Sequence, residues 1–355
     1  MRILLISNLY PSSEHPAFGT FIAARAETLR RAGVSVEVVA ITDPGVHTRI
    51  VRKYASLGGR AVLAAIRSLV ARRPFDVVEA HIAYPTGLLA WPVARLLRAR
   101  LVLFAHGSDV MDIPGRSGRH ARAARRLYRS ADVIVANSAF LAGELQARVA
   151  PPPGRVRVIS PGIDLAAFGA AGQEPRRGIL FVGRLLPRKG LHVLLDALAT
   201  LPPDVWAPPL EIIGDGPDLG ASRAHAERIG VPVDFRGPLP PAAVAEAMGR
   251  AEVVAVPSAY EEGLGLVALE AMAAGAVVVA SAVGGHRETV QDGVTGFLVI
   301  RDDAAALATA LVRGLAVARS GEPAGLRDAA QTMAARHDIT RTVAQSVELY
   351  RTMGA

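Results

Sequence analysis

Short runs of aliphatic and β-branched residues alternate along this chain with longer Ala-, Leu- and Arg-rich segments whose apolar positions recur at helical spacing. A strand buried on both faces reads as an unbroken apolar run, and the helix that crosses over to the next strand shows a single apolar stripe. The alternation therefore predicts parallel sheets covered by helices. Six strands are expected in the first half, at 2–7, 35–41, 76–80, 101–105, 132–136 and 155–159. Six more are expected at 178–182, 210–213, 233–235, 252–256, 276–280 and 296–299, with helices between them and a last helix over 339–353.

At 355 residues, 51% of them apolar, the chain exceeds what one hydrophobic core organises, so two α/β domains are expected. Residues 166–177, rich in Gly and Ala with one Pro and mixed charges, read as a linker. That gives domains at 1–165 and 178–338, followed by a C-terminal helix at 339–355 with the option of returning to the first domain.

Composition narrows the chemistry. Cysteine is absent, which removes a disulfide scaffold, a thiolate metal site and a thiol nucleophile together. The apolar stretch that opens the chain is too short for a signal-peptide core, and no run is long enough to span a bilayer. The expected location is cytoplasmic, or peripheral on the inner face of the membrane. Net charge is +8 but uneven: residues 1–160 hold 23 Lys or Arg against 10 Asp or Glu, and the remainder 17 against 22. Lys53, Arg60 and Arg67 recur at sevens, and Arg119, Arg122, Arg126 and Arg129 at threes and fours, so each set lies along one helix face. Val62, Ile66 and Leu69, and likewise Ala121, Ala124 and Tyr128, are expected to pack onto the sheet from the opposite faces. Such basic faces suit an anionic membrane surface or a polyanionic acceptor. Nucleic acid is not expected, because no basic motif is interleaved with aromatics.

Open parallel sheets bind ligands beyond the carboxyl ends of their strands. There the most specific stretch is Glu262-Gly-Leu-Gly-Leu-Val-Ala-Leu-Glu270. Gly263 and Gly265 stand where a strand end turns into a helix, so bare backbone amides can approach a phosphate. With a helix starting near Gly265, Glu270 lies a turn and a half inside it and Glu262 stays on the loop. Two carboxylates at different depths are a poor glycosidase pair; one at a sugar and one at a ribose is the better use.

The eight-residue spacing of these glutamates around Gly-Leu-Gly-Leu resembles the E-x7-E signature of family 4 glycosyltransferases. The resemblance extends to Phe181-Val-Gly-Arg-Leu-Leu-Pro-Arg-Lys-Gly190, Ile213-Gly-Asp-Gly-Pro217, Val233-Asp-Phe-Arg-Gly237, Val283-Gly-Gly285 with Glu288, and Gly293-Val-Thr-Gly-Phe297. In the first domain it takes in Ala105-His-Gly-Ser-Asp109 and Ser160-Pro-Gly-Ile-Asp164. It implies a GT-B fold, two Rossmann-like doubly wound domains facing across a cleft, the first binding acceptor and the second binding a nucleotide-sugar donor. The implied reaction is retaining transfer of a hexosyl group to an acceptor hydroxyl, in the synthesis of cell-envelope polysaccharide, glycolipid or another glycoconjugate.

By the same resemblance, Arg184 and Lys189 grip the donor diphosphate and Glu262 contacts the sugar. Glu270 binds the ribose, His106 stands close to the donor sugar, and Gly263, Leu264, Gly265, Leu266 and Val267 complete the donor loop. Gly19 occupies the place of a flexible glycine pair but is followed by Thr20, a departure from the family pattern. Ser160-Pro161 replaces the usual Pro-Asn. His81 and Asp109 are candidates for orienting a sugar, lipid-linked or small-molecule acceptor. No Asp-x-Asp loop presents itself: Asp215 reads as turn chemistry and Asp302-Asp303 as a helix cap, so no metal or other cofactor is expected. A sugar-nucleotide epimerase of the same architecture is the enzymatic rival, and a non-catalytic sugar-binding protein the rival from another class. A dehydrogenase is disfavoured, since the loop after the first strand lacks G-x-G-x-x-G.

Overall fold

The computed structural model describes residues 1–45, 50–112, 118–170, 175–206, 209–320 and 324–354. The chain divides into two compact units, 1–162 with 339–355, and 163–338. In the first, β1 (Arg2–Ser7), β2 (Ser35–Ala40), β3 (Val77–His81), β4 (Arg100–Ala105), β5 (Val133–Ala136) and β6 (Val156–Val158) form a wholly parallel sheet in the order β2-β1-β3-β4-β5-β6. Between them run α1 (Thr20–Arg31), α2 (Ile50–Val70), α3 (Ala83–Leu97), the short α4 (Ser108–Met111), α5 (Arg119–Ser130) and α6 (Ala139–Val149).

The second unit opens with α7 (Leu165–Gly169) and has the same design. Its strands are β7 (Ile179–Val182), β8 (Leu210–Ile213), β9 (Val233–Gly237), β10 (Val253–Val256), β11 (Val277–Ser281) and β12 (Phe297–Val299), in the order β12-β11-β10-β7-β8-β9. Its helices are α8 (Leu191–Leu198), α9 (Leu219–Ile229), α10 (Pro241–Arg250), α11 (Leu266–Ala273), α12 (His286–Thr289), α13 (Ala304–Arg319) and α14 (Ala324–Ala335). The last helix of the chain, α15 (Ile339–Thr352), packs on the first unit's sheet. The stretch 166–177, read from sequence as linker, is occupied in part by α7, capped when Asp164 Oδ1 accepts from the Ala167 amide at 3.0 Å; residues 171–174 lie outside the described residues.

Strand periodicity sorts the core into layers. Leu4, Ile6, Val78, Ala80, Leu101 and Leu103 face α2, α3, α5 and α6, whereas Ile3, Val77 and Val102 face the other way, onto Ile339, Val343 and Tyr350 of α15. Glu79 and His81 share the second face.

One expectation about side-chain direction is corrected. Val62, Ile66 and Leu69 do not pack onto the sheet; they are exposed, and α2 buries Leu57, Ala61, Ala64, Ala65 and Ser68 instead. The reason lies in its basic residues, which reach back toward β2. Arg60 donates to the Ala40 carbonyl at 2.7 Å, Arg67 to Glu37 at 3.0 Å, and Lys53 pairs with Asp43 at 2.8 Å. Those bonds fix the roll of the helix and leave its aliphatic residues outward. On α5, Ala121, Ala124 and Tyr128 are buried.

Candidate active site

In each sheet the strand order reverses at one point, between β1 and β3 in the first unit and between β7 and β10 in the second. Crossover loops diverge there and leave a crevice at the carboxyl edge, where doubly wound sheets hold ligands. Most of the sequence-nominated residues stand at these two edges.

In the second unit the loop after β7 and the loop after β10 are joined by main chain, the Ala259 amide donating to the Arg188 carbonyl at 2.9 Å. This brings Lys189 to Glu262, with Nζ 2.6 Å from Oε1, and Ser258 Oγ donates to the same carboxylate oxygen at 2.8 Å. Burial works most strongly against the Glu262 charge, but Lys189, His286 and the Ser258 hydroxyl together outweigh it and hold the carboxyl below its ordinary value. Arg184 stands exposed on the same loop as Lys189. The loop after β11 clasps the Glu262 segment from the far side: the Gly285 amide donates to the Glu262 carbonyl at 2.9 Å and the Gly284 amide to the Glu261 carboxylate.

Gly265 caps α11 in the left-handed region, φ 88°, and a Cβ there would overlap the His286 ring. Only glycine satisfies both conditions. Leu264 is buried in the core and Leu266 and Val267 pack against it, so what these three and Gly263 can offer a ligand is main chain. Glu270 lies inside α11. Burial alone pushes its carboxyl up to about 7, and among the described residues no side chain pairs with it. The two glutamates therefore differ in charge as well as depth: Glu262 is ionised, and Glu270 is poised to lose a proton when donors of hydrogen bonds arrive.

His286 was missed by sequence reasoning. Its Nδ1 faces the Ser281 carbonyl at 3.0 Å, so that nitrogen carries the proton, and Nε2 is buried with no hydrogen-bond partner among the described residues. The signal available was its place directly after Val283-Gly-Gly285. Ser258 was missed as well, because a lone Ser four residues before Glu262 has no pattern to mark it.

In the first unit, Gly19 caps α1 in the left-handed region, φ 74°, with its α-carbon against Leu9 and Tyr10, so no Cβ fits. Beneath the carboxyl edge lies a buried chain of polar groups. Arg25 of α1 grips Glu79 through both carboxylate oxygens, Nη2 to Oε1 at 2.9 Å and Nε to Oε2 at 3.1 Å. Tyr350 of α15 donates to Glu79 Oε1 at 2.6 Å, and Arg25 donates to Ser346 Oγ at 3.2 Å. Burial disfavours the Glu79 charge, yet Arg25 and His81 together hold the carboxyl far below its usual range.

His81 Nε2 lies 3.1 Å from Glu79 Oε2, and His81 Nδ1 lies 3.2 Å from His106 Nε2. An ionised Glu79 requires a donor, so His81 carries its proton on Nε2 and accepts at Nδ1 from His106 Nε2–H. Burial lowers the basicity of both rings, and for His106 the neighbouring His81 ring and the Arg25 charge disfavour a second proton further. His106 is thereby held neutral, with Nδ1 as its lone-pair nitrogen.

His81 and Asp109, expected to orient an acceptor, are engaged within the protein. Both ring nitrogens of His81 are taken and the residue is 1% exposed. Asp109 accepts from the amides of Ala83, His106 and Gly107 at 2.7, 3.0 and 3.0 Å and is 2% exposed. Each positions His106 and its loop. Arg25, Glu79 and Tyr350, which complete the arrangement, are too far apart in sequence for any motif to expose. Among the described residues no cluster of His, Cys, Asp and Glu has the arrangement of a metal site.

Two tandem doubly wound units define a GT-B protein. Comparison with known proteins carries this further. The family model described as Glycosyltransferase Family 4 matches residues 19–167, and that described as Glycosyl transferases group 1 matches residues 168–316. The chain is 32% identical over 308 residues to a D-inositol 3-phosphate glycosyltransferase of Corynebacterium urealyticum, covering 79% of this chain and 72% of that one. It is 31% identical to a glycogen synthase of Mycobacterium tuberculosis, covering 88% and 85%. Anabaena HepE, crystallised with UDP and glucose, superposes with a TM-score of 0.78 at 22% identity over 99% of this chain and all of that one. The chain belongs to family 4 of the glycosyltransferases.

Proposed function

We propose that this glycosyltransferase moves a hexosyl group from a nucleotide-diphosphate sugar to an acceptor hydroxyl with retention of anomeric configuration and without a metal, in the synthesis of a cell-envelope polysaccharide, glycolipid or other glycoconjugate. The observation that carries the reading is the Lys189–Glu262 pair at the strand-order reversal of the second unit, beside the glycine cap of α11. Breaking a glycosidic bond to a diphosphate builds negative charge on the leaving group and positive charge on the anomeric carbon. Preorganised charges of opposite sign lower that barrier most effectively. In this reading Lys189 turns from Glu262 to the diphosphate together with Arg184, and Glu262, released but still ionised, faces the sugar. Glu270 gives its proton up and accepts from the ribose hydroxyls, while the main chain of 263–267 meets the donor. His106 Nδ1 accepts a hydrogen bond from a sugar hydroxyl at the first unit's edge.

Support for the donor class comes from relatives: HepE was crystallised with UDP-glucose, UDP, and UDP with glucose. The test is turnover with a panel of UDP, GDP and ADP sugars, read as released nucleotide, with and without candidate acceptors. Release of nucleotide that depends on both donor and acceptor supports transfer; an altered sugar formed with no acceptor present would replace transfer by epimerisation.

A further inference from the structure

The outward face of α2 is the least expected surface on the molecule. Val51, Val62, Leu63, Ile66, Leu69 and Val70 stand on it with 40 to 80% of their area exposed. Gly58 sets α2 directly against Leu89 of α3, and Gly87 sets α3 against Leu127 of α5, so the three helices form one layer. On the adjacent α3, Leu88, Trp91 and Leu96 are exposed, Trp91 beside a hollow lined by Phe75 and Arg95. Single exposed apolar residues are ordinary, but nine on two adjacent helices make a patch that water alone does not explain.

The charge carried by these three helices has one sign, while Asp76 and Asp132 border the hollow beside Trp91. Residues 50–73, 83–100 and 119–130 contain no Asp or Glu, and Arg52, Arg72, Arg73, Arg95 and Arg98 are exposed along the two apolar helices. On the neighbouring α5, Arg122, Arg125, Arg126 and Arg129 line an open hollow of about 410 Å³. A second copy of the chain would bring like charge against like charge. An aliphatic face fringed by arginines, with a half-exposed Trp, is matched by a surface that is apolar inside and anionic at its rim.

We propose that the outer face of α2 and α3 docks the first unit on an anionic lipid bilayer, its aliphatic side chains entering the headgroup boundary while the surrounding arginines, those of α5 included, meet lipid phosphates. No helix among the described residues is long and apolar enough to cross a membrane, so the contact is one-sided. Both α2 and α5 begin at the carboxyl edge of their sheet, the edge that carries His106, so the docked layer borders the proposed acceptor side. The inference deepens the glycolipid part of the functional reading above but does not need it to be detected.

The experiment uses the full chain and vesicles of phosphatidylcholine with or without 30% phosphatidylglycerol, scored by flotation at low and high salt. Trp91 is a built-in depth probe, since the only other tryptophan, Trp206, is buried. The expected result is at least tenfold stronger partition to the anionic vesicles and quenching of Trp91 by brominated acyl chains. Leu63→Glu with Ile66→Glu should abolish the quenching, and Arg122→Ala with Arg126→Ala should weaken partition and its salt dependence. Equal partition to both vesicles, adsorption without Trp91 quenching, or a dimer that the Leu63/Ile66 variant dissociates would each overturn the proposal. Nucleotide release with a soluble acceptor, measured on the same variants, should be unchanged; its absence in the unaltered protein would instead count against the transferase reading. If the Glu variants fail to fold, bromolipid quenching of the unaltered protein decides alone.

Discussion

Lys189 and Glu262 meet across two loops at 2.6 Å, and Ser258 shares the same carboxylate oxygen at 2.8 Å. The pair keeps a cation and an anion ready at one point, each able to exchange its protein partner for a substrate group of the same sign. Lys189→Ala should therefore raise the donor KM about 10- to 100-fold, the value of a lost charge-assisted hydrogen bond. Glu262→Ala should instead lower kcat about 100- to 1,000-fold with a smaller change in donor affinity, as removal of a group acting mainly in the transition state does. Initial rates and nucleotide titration calorimetry separate the two; identical kinetic signatures would remove the division of roles.

The proposed retention and metal independence have separate readouts. NMR of the first-formed product should show the anomeric configuration of the donor, and EDTA should leave the rate unaltered. An inverted product would sink the retaining assignment, whereas chelation that stops turnover, with recovery on adding Mg, would sink only the metal claim.

Glu270 links pH to stability and to donor binding. Its carboxyl is raised from about 4.5 to about 7 in the folded chain, so the folded state holds a proton that the unfolded state has already released between those values. Stability contributed by this site thus falls as pH rises from about 4.5 to 7, by at most about 3 kcal/mol. Glu270→Gln should remove that slope, and the gap in Tm between the variant and the unaltered protein should widen toward alkaline pH. Donor binding at pH 7, where the carboxyl is about half protonated, should release about half a proton in the unaltered protein and none in the variant, measured by calorimetry in buffers of different ionisation enthalpy.

The histidines act in the opposite sense. His81 and His106 are held neutral, with folded values below the ordinary 6.5 or so. As pH falls the unfolded chain takes up protons first, so stability present above about 6.5 is lost below it. His81→Phe should flatten that acid limb in a pH series of thermal melts. An unchanged limb would mean the histidines are not the groups responsible.

Glu79→Gln should be the most damaging single change in the first unit, because it leaves the buried Arg25 cation without a counter-charge. Removal of one partner from such a pair costs about 3 to 5 kcal/mol, whereas Tyr350→Phe, which deletes one hydrogen bond, should cost about 1 to 2. Calorimetric unfolding checks the ranking; equal shifts would show that the charge is not what the site depends on.

The two sheets were legible because buried parallel strands leave continuous apolar runs, and all twelve strands occur within a residue or two of the expected bounds. The Glu262–Glu270 loop stood out because its glycines and carboxylates are crowded into nine consecutive residues. The faces of α2 were not legible. Periodicity shows that a helix has an aliphatic stripe, but small Ala residues can fill the interface while larger Val, Ile and Leu side chains turn outward, and only the bonds from Lys53, Arg60 and Arg67 to the β2 side decide the roll. The polar chain from Tyr350 through Glu79 to His106 was hidden for another reason: its members are joined by folding, not by spacing.

The hold of α15 on that chain sets an order for biosynthesis. Ser346 and Tyr350 bond to the Arg25–Glu79 pair from a helix that follows the whole second unit in sequence. While the ribosome is still translating, the first unit has its sheet but lacks the hydroxyls that complete its buried ion pair, whereas the second unit has every residue it needs once Asp338 has emerged. The part made first is therefore the part finished last. A nonsense codon or frameshift that spares residues 1–338 would leave the second unit whole and strand the first unit in a nascent state, open to chaperones and proteases.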